Sequence, residues 1–577
     1  MKVLLLHPED NLPRNRSREW DLVVDFGRAP DSTYDRWAEQ AGCRIIGLFE
    51  FAEEIRDLHR CRELLQLGMG RLIDRQGIDW WDVVSLEIVP DLQQLMLVDR
   101  LAKFIATPCE LYASRPFGLA RVLGNLLGAE FENLASGLES VHQRMRHYAG
   151  ALSRLNAAQL AQIIQDKFDP VHSIRRRLSR RRPSLNRPVI LLPSAYVNVS
   201  RAAVSYAALL PDHEFLLVCA RQNGHLESLP ANVHVASLDS YFRPVDEHNL
   251  ASLLAKWRGL KREVTGAAAE FKAAGAAGVL NRIPSRLRWT LSISTAWSSV
   301  FESEDITGCL CADDTNPYTR IPLILAKRKG ITALACHHGA LDSWMALKTL
   351  HADFYLAKCE MERDYLQRVC RVEPERIALG NAAPSKQSRL AVRRFEAPWL
   401  VFFTEPYQNA HWRNREVYRE LLPRLWDLAQ TCGLKLVFKL HPFESAKGHR
   451  RMLRRYLPEQ EHRIEIIARP PSAELWEKTR FAVTVQSSTV LECAALGIPV
   501  FLCGWLRDSY SGYVRQYARF DIGHVLESPE QIGEISRLLK MYNEKDSRRG
   551  TPWQTIDPGE LAHLISGTHS LPVASNA

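Results

Sequence analysis

One late stretch of the sequence strongly limits the folds that are open to this chain. A short apolar run, Lys435–Leu440, stops at His441-Pro442, where Pro442 lacks an N–H and biases His441 towards an extended conformation. A second β-branched run, Phe481–Val485, leads into a helix predicted over about 490–496, and a third strand follows. Repeats of strand, loop, helix and strand predict a parallel, doubly wound sheet, in which ligands lie beyond the carboxyl ends of the strands.

The residues at these strand ends have the chemistry of a phosphate site. Ser487, Ser488 and Thr489 lie where the helix begins, and hydroxyls, free backbone N–H groups and the positive helix end suit a phosphate. His441 can donate to the same anion, more strongly if protonated, and Glu492 could accept hydrogen bonds from ribose hydroxyls. Each residue alone also fits a plainer role as a helix cap or loop residue. The ordered set in a βαβ context favours a nucleotide-phosphate site.

This order of motifs resembles a known group of enzymes. HP at 441–442, SS at 487–488 before a helix with Glu492, and GIPV at 497–500 resemble bacterial polysialyltransferases and capsule Kdo transferases, and more distantly teichoic-acid glycerophosphotransferases. The resemblance covers roughly 399–529. It implies a GT-B arrangement of two Rossmann-like domains facing a cleft, with CMP- or CDP-activated donors. It also implies that His441, Ser487 and Ser488 hold the donor phosphate.

The composition is that of an ordinary globular protein. The 577 residues predict two or three domains, and 46% of them are hydrophobic and 24% charged. The sequence has no run of about 18 apolar residues, so we expect no transmembrane helix. Met1–Leu6 is followed at once by Pro8-Glu9-Asp10, which indicates a buried first strand rather than a signal peptide. Twelve cysteines without C-x-x-C pairs indicate reduced core thiols and a cytoplasmic protein.

Part of the net charge of +9 is concentrated in Arg175–Arg182, which reads RRRLSRRR. This segment is either a solvated linker or a surface attracted to an anionic membrane or an acidic polymer. The arginines have no interleaved aromatic residues and no known motif around them, so nucleic-acid binding is not expected. Peripheral contact with the inner face of the cell membrane is therefore one interpretation.

The alternation of predicted strands and helices divides the chain into five parts. They are an N-terminal α/β part, a helical and Arg-rich connecting segment, a Rossmann-like acceptor-side part, a C-terminal Rossmann-like nucleotide-donor domain and a polar tail. Their predicted bounds are 1–115, 116–187, 188–385, 386–560 and 561–577. The fold class is α/β and GT-B-like, with doubly wound parallel sheets and an enlarged N-terminal part. Val83–Ile88 is among the predicted N-terminal strands.

Two predicted strand ends of the acceptor-side part lead into densely polar loops, DDTNPYTR at 313–320 and HHGALD at 337–342. A glycosyl transfer to an alcohol needs a base near the acceptor hydroxyl and stabilisation of the departing phosphate. His338-Gly339 matches the HG element of the teichoic-acid transferases, so that resemblance makes His338 the first choice for the base. The resemblance to sialyl- and Kdo-transferases instead implies a carboxylate, which would be Asp313, Asp314 or Asp342. Plainer roles are an Asx cap by Asp313 or Asp314 and structural hydrogen bonding by His337.

Further residues are candidates for substrate contacts. Arg320 could pair with a donor carboxylate, although it could equally be a surface helix residue, and Tyr318 and Asn316 lie in the same loop. Glu405 heads the second domain and is expected to face the nucleotide. No D-x-D motif with its usual context is present, so we expect no metal and no cofactor, since the nucleotide-sugar is a substrate.

These observations lead to one main hypothesis and three alternatives. The chain is expected to be a cytoplasmic, metal-independent GT-B glycosyltransferase that moves a Kdo- or sialic-acid-like sugar from a CMP-linked donor to a cell-surface polysaccharide or glycolipid precursor. The alternatives are a CDP-glycerol-type phosphotransferase, a UDP-sugar 2-epimerase and a non-catalytic GT-B-like binding or scaffold protein. The sequence leaves the donor sugar, acceptor, linkage, stereochemistry and oligomeric state open.

Overall fold

Three parallel sheets, of five, seven and six strands, organise the protein in a computed structural model. The structure describes residues 1–7, 20–26, 39–105, 108–115, 117–134, 185–221, 226, 228–339, 341, 347, 349–382, 396–405, 416–485, 487–506, 513–545 and 555–567. Among these residues, no helix is long and apolar enough to cross a membrane. The segment Arg175–Arg182 and Asp342 lie outside the described residues.

The N-terminal sheet has the strand order β3-β2-β1-β4-β5. Its strands are β1 Lys2–Leu6, β2 Leu22–Asp25, β3 Arg44–Gly47, β4 Glu110–Ala113 and β5 Phe131–Asn133. Its helices are α1 Glu54–Gln66, α2 Trp81–Val84, α3 Val89–Ile105 and α4 Gly118–Leu127. The predicted strand Val83–Ile88 is wrong, because these residues form the end of α2 and a 3₁₀ turn, Ser85–Ile88. A short apolar run that is buried on all sides has no periodicity that separates a strand from a helix.

The middle domain is built on the sheet of order β12-β11-β10-β9-β6-β7-β8. Its strands are β6 Pro188–Ser194, β7 Phe215–Cys219, β8 Val233–Ser237, β9 Asp305–Cys311, β10 Ala333–Ala335, β11 Phe354–Ala357 and β12 Ile377–Leu379. Its helices are α5 Val197–Ala207, α6 Glu247–Ala267, α7 Ala269–Ala276, α8 Ile283–Ser303, α9 Pro317–Arg328 and α10 Glu360–Arg368. Trp81 of the N-terminal part stacks on Trp257 of α6 at 6.0 Å, so the two parts share one apolar core.

The C-terminal domain has the strand order β15-β14-β13-β16-β17-β18. Its strands are β13 Trp399–Phe403, β14 Lys435–Lys439, β15 Glu465–Ile467, β16 Thr479–Thr484, β17 Val500–Cys503 and β18 His524–Leu526. Its helices are α11 Leu422–Thr431, α12 Ala446–Tyr456, α13 Ala473–Lys478, α14 Thr489–Ala495, α15 Tyr513–Arg519 and α16 Ile535–Lys545. Strand pairs in all three sheets are parallel, as the continuous apolar runs of the sequence predict.

A last helix, α17 Pro558–Ser566, returns to the middle domain. Asp557 caps this helix by accepting the Glu560 N–H at 3.0 Å. Ile565 packs closely against Gly308 of β9, where a side chain larger than hydrogen would come within 3.3 Å of the Ile565 carbonyl oxygen. The predicted polar tail from residue 561 therefore starts too early, because Leu561 is buried in the core of the middle domain. Residues 555–567 thus belong to the middle domain in space, although they follow the donor domain in sequence.

Candidate active site

Residues that follow strands of the two larger sheets meet between the domains. Tyr196 comes directly before α5, and its ring centre lies 5.3 Å from that of Phe443, which follows β14, at an interplanar angle of 70°. The same tyrosine ring lies edge-on to His338, which follows β10, at 5.2 Å. The carboxyl ends of the two sheets therefore face each other across a cleft, which is where ligands of doubly wound sheets bind.

Asp313, which follows β9, is buried and accepts four hydrogen bonds. Its Oδ1 accepts the Thr315 N–H at 2.8 Å and the Thr315 hydroxyl at 2.5 Å. Its Oδ2 accepts the Asn316 amide at 2.9 Å and the Tyr196 hydroxyl at 3.1 Å. Asn316 in turn caps α9 by accepting the Tyr318 N–H at 3.1 Å. The capping role considered for Asp313 is therefore present, together with a contact to the cleft through Tyr196.

His338 has a defined orientation and tautomer. Its Nδ1 lies 3.3 Å from the carbonyl oxygen of Ala312, and its Nε2 lies 3.1 Å from the Tyr196 hydroxyl. Because a carbonyl oxygen only accepts, the proton of the neutral ring is on Nδ1, and the lone pair of Nε2 faces the Tyr196 hydroxyl. Burial lowers the pKa of His338, Asp313 opposes this effect, and Lys358 adds to it. A neutral imidazole with its lone pair in the cleft can act as a general base.

Lys358 is a site residue that the sequence analysis missed. It follows β11, and its Nζ donates to Glu362 at 2.8 Å and to the carbonyl oxygen of Gly339 at 3.0 Å. It thus ties the loop that carries His338 to α10. The only signal in the sequence was a single lysine directly after an apolar strand.

His441 lies opposite His338 and is a neutral donor. Its backbone N–H donates to Thr404 Oγ1 at 3.1 Å, and the Phe443 N–H donates to its Nδ1 at 3.2 Å. The proton of the neutral ring is therefore on Nε2. Burial lowers the pKa of His441 to about 4, against the influence of Glu444 and with help from His338 and Lys439. The protonated form that the sequence analysis considered is thus disfavoured in the ligand-free cleft.

Cationic groups from both domains approach the same region. Lys439 is the last residue of β14, is only 6% exposed, and donates to the carbonyl oxygen of Leu440 at 2.6 Å. Burial and the nearby Arg201 of α5 lower the pKa of Lys439 to about 8, while Glu492 and Glu444 act in the opposite direction. Neither Lys439 nor Arg201 was predicted from the sequence as a site residue. Lys439 ends an otherwise apolar strand, KLVFK, and a charged residue there was the available signal.

Glu492 lies in α14, near both Lys358 and Lys439. Protein surrounds its carboxyl group and raises the pKa of Glu492 to about 7, and Lys358 and Lys439 partly offset this rise. The residue is also exposed to solvent, which limits the cost of desolvating its charged form. A carboxyl group with a raised pKa can donate as well as accept a hydrogen bond.

The predicted phosphate-binding hydroxyls are partly used within their own turn. Ser487 Oγ accepts the Thr489 N–H at 3.3 Å and the Thr489 hydroxyl at 2.9 Å. Ser488 is the N-cap residue of the seven-residue α14, and its side chain makes no capping hydrogen bond. The plainer capping role therefore applies to Ser487, and a phosphate contact of the three residues stays a prediction.

Arg320 lies in a buried ion pair. Its guanidinium is 1% exposed and donates to Asp82 of the N-terminal part at 2.8 Å and to the carbonyl oxygen of Thr349 at 2.9 Å. His351 lies 2.5 Å from the second oxygen of Asp82. These contacts join the N-terminal part to the middle domain, and the predicted contact with a donor carboxylate remains untested.

The remaining predicted residues are less directly placed. Tyr318 is buried, with its ring edge-on to Trp289 at 5.5 Å. Asp314 is fully buried, and Glu405 is half-buried directly after β13. Their roles toward a substrate stay predictions.

Asp313, His337 and His338 could offer three metal-ligating atoms within 4.8 Å of one another. The Asp313 carboxylate already accepts four hydrogen bonds, so a metal would have to displace some of its donors. We therefore assign hydrogen-bonding roles to this cluster.

Two doubly wound parallel-sheet domains that face each other across a cleft make this a GT-B-type α/β fold. The sequence matches no protein-family profile and no curated protein. Among solved structures, it is similar to the UDP co-structure of MnaA from S. aureus, with 12% identity over 66% of this chain and 94% of that chain and a TM-score of 0.39. It is also similar to UDP-GlcNAc 2-epimerase from Neisseria meningitidis bound to UDP-GlcNAc, with 13% identity over 65% of this chain and 97% of that chain and a TM-score of 0.41. A variant of the wall teichoic acid polymerase TagF is similar with 11% identity over 75% of this chain and 97% of that chain and a TM-score of 0.37.

Proposed function

We propose that this chain is a metal-independent GT-B glycosyltransferase that moves a sugar from a nucleotide donor to a cell-surface glycan or glycolipid precursor. The observation that supports this most is the approach of two chemically different sets of groups across the cleft. Tyr196 and His338 lie on one side, and His441 and Phe443 lie on the other. One side suits a base, and the other suits an anion.

The two sides correspond to the two needs of a glycosyl transfer. The acceptor hydroxyl loses its proton to the His338 side as its oxygen attacks the anomeric carbon. The bond from that carbon to the donor phosphate breaks, and the nucleotide leaves with the electron pair. In this proposal the Nε2–H of His441, together with Lys439 and Arg201, stabilises the charge that develops on this phosphate. The HP, SS and Glu motifs favour a CMP-linked Kdo- or sialic-acid-like donor.

A CDP-glycerol-type phosphotransferase is the second candidate. One observation favours it: the ring of Tyr196 contacts His338 of the HG element, and the ring of Phe443, which contacts Tyr196, also contacts His441 of the HP element. Such a pair could serve attack on a phosphate as well as attack on a sugar. The cytoplasmic location and a membrane contact through Arg175–Arg182 are further parts of the proposal, independent of this choice.

Calorimetric titration of the protein with CMP, CDP, UMP and UDP, with and without magnesium, tests the proposal. We expect magnesium-independent binding with a preference for CMP. A preference for CDP would favour the phosphotransferase, and a preference for UDP would favour a 2-epimerase or another hexosyl enzyme. No binding of any nucleotide would contradict an enzyme of this class and favour a scaffold protein.

The variant His441→Ala tests the phosphate site directly. Loss of one hydrogen bond to a charged phosphate should cost about 1.5–3 kcal/mol, that is, roughly 10- to 150-fold in affinity. The matched control is His462→Ala, because His462 is exposed in the same domain. Equal affinities of His441→Ala and the control for CMP and CDP would remove the phosphate site.

A further inference from the structure

The hydroxyl group of Tyr196 lies between a carboxylate and an imidazole. Its oxygen is 3.1 Å from Asp313 Oδ2 and 3.1 Å from His338 Nε2. Tyr196 is not among the site residues predicted from the sequence. We propose that Tyr196 is a positioning residue that links Asp313 to His338 and stabilises the protonated form of His338.

The Tyr196 hydroxyl has a single proton, so it can donate to only one of its two partners, His338 and Asp313, at a time. His338 Nδ1 faces the carbonyl oxygen of Ala312 at 3.3 Å, so Nδ1 carries a proton in either charge state of the ring. When His338 is neutral, Nε2 accepts, and the Tyr196 hydroxyl can donate to it. That single proton cannot also reach Asp313 Oδ2, which keeps its hydrogen bond from the Asn316 amide but then faces the lone pairs of the tyrosine oxygen.

Protonation of His338 resolves this conflict. Nε2 then carries a proton and donates to the Tyr196 oxygen, and the hydroxyl rotates about its C–O bond and donates to Asp313 Oδ2. No covalent bond of the tyrosine breaks, and every group in the chain has a partner. The negative charge of Asp313 is thereby connected to the imidazolium through a polarised hydrogen-bond chain.

Other charges around His338 act on the same equilibrium. Burial and Lys358 disfavour the imidazolium, and Asp313 favours it, so the pKa of His338 is lowered on balance. His441 lies near enough that His338 acts on its pKa, and the ring of His337 lies 5.0 Å from that of His338. Asp313 is thus the group that opposes the effects of burial and of Lys358, and the Tyr196 hydroxyl contacts both Asp313 and His338.

The test is an NMR titration of His338 in the full-length protein with labelled histidine, its signal being assigned by its loss in His338→Gln. We expect Tyr196→Phe to lower the pKa of His338 by about 0.5–1, a three- to tenfold loss of proton affinity. Asp313→Asn keeps a side-chain oxygen for the Thr315 donors and should also lower the pKa of His338. Because the tyrosine carries the effect of Asp313, Asp313→Asn should cause a clearly smaller change in the Tyr196→Phe background.

The matched control is Tyr355→Phe, which removes a buried hydroxyl from β11 of the same sheet. It should leave the titration of His338 unchanged. An unchanged pKa of His338 in Tyr196→Phe would overturn the proposal, and so would equal effects of Asp313→Asn in both backgrounds. If Asp313→Asn does not fold, the comparison of Tyr196→Phe with wild type still decides. The titration involves no substrate, so its outcome is independent of the proposed transferase activity.

Discussion

The rings of Tyr196 and Phe443 pack edge-on across the cleft, with their centres 5.3 Å apart. Tyr196 belongs to the middle domain and Phe443 to the C-terminal domain, so this pair joins the two sides of the candidate site. Phe443 also lies 5.1 Å from the ring of His441.

We expect Phe443→Ala to weaken CMP binding. An aromatic pair contributes about 0.5–1.5 kcal/mol beyond its buried area, which corresponds to roughly a two- to tenfold loss of affinity if the contact supports the bound state. Calorimetric titration measures the effect, and Phe443→Tyr, which keeps the ring, is the control. Equal affinities of the alanine and tyrosine variants would show that the contact does not contribute to binding.

Glu492 should make stability depend on pH near neutrality. The pKa of Glu492 is raised to about 7 in the folded protein from its ordinary 4.5, because burial penalises the charged form. The folded state therefore binds more protons than the unfolded state between these values. Its contribution to stability is fully present below pH 4.5 and is lost as the pH rises through about 7.

The side chain of the variant Glu492→Gln cannot ionise, so this variant should not lose stability from this position as the pH rises through about 7. We expect its melting temperature, relative to wild type, to rise between pH 5 and pH 8, as measured by thermal unfolding across about this range. Glu477→Gln, at an exposed site of the same domain, is the control and should show no such trend. A constant difference between Glu492→Gln and wild type at all pH values would contradict the prediction.

Much of the sheet architecture could be predicted from the sequence because buried parallel strands are continuous apolar runs. The buried first strand predicted within Met1–Leu6 is β1, and the apolar runs Lys435–Leu440 and Phe481–Val485 correspond to β14 and β16 within a few residues. The strand predicted at Val83–Ile88 failed, since a buried run of that length has no decisive period. The helix at Pro558–Ser566 had an apolar pattern with a capping aspartate and a terminal glycine, but its position in a polar region hid this signal.

The site was only partly predictable, because its residues come from distant strand ends. Polar loops after β9 and β10 indicated Asp313 and His338, which the structure brings together through a third residue, Tyr196. Lys358 and Lys439 are single charged residues at strand ends and form no motif. Their proximity depends on which strands are neighbours and how the two sheets face each other, and neither follows from local sequence.

Lys439 should lower stability and support ligand binding at the same time. Burial and Arg201 lower the pKa of Lys439 to about 8 from 10.5. A base with a lowered pKa contributes stability above its unfolded pKa of 10.5, and this is lost as the pH falls through about 8. The charged lysine is therefore unfavourable to folding at pH 7, and an anionic ligand would relieve that cost.

We expect Lys439→Met to raise the free energy of unfolding at pH 7 and to weaken CMP binding. Urea unfolding and calorimetric titration measure the two effects, and the gain in stability should vanish above about pH 10.5. Lys435→Met is the control from the same strand, because Lys435 is exposed and pairs with Glu465 at 2.6 Å on the surface. Lower stability together with unchanged affinity in Lys439→Met would contradict both parts of the prediction.

Arg320 should matter for the attachment of the N-terminal part rather than for nucleotide binding. Burial alone would raise the pKa of Asp82, but Arg320 and His351 more than offset this and hold it well below its usual range. Arg320→Met would leave that buried carboxylate without its arginine partner, which typically costs about 3–5 kcal/mol. Urea unfolding should show the loss of stability, while affinity for CMP should not change.

Arg282→Met is the control, because its pair with Asp91 is partly exposed and should contribute at most about 1 kcal/mol. Unchanged stability in Arg320→Met would show that the ion pair does not hold the two parts together and would return Arg320 to the candidates for a donor carboxylate.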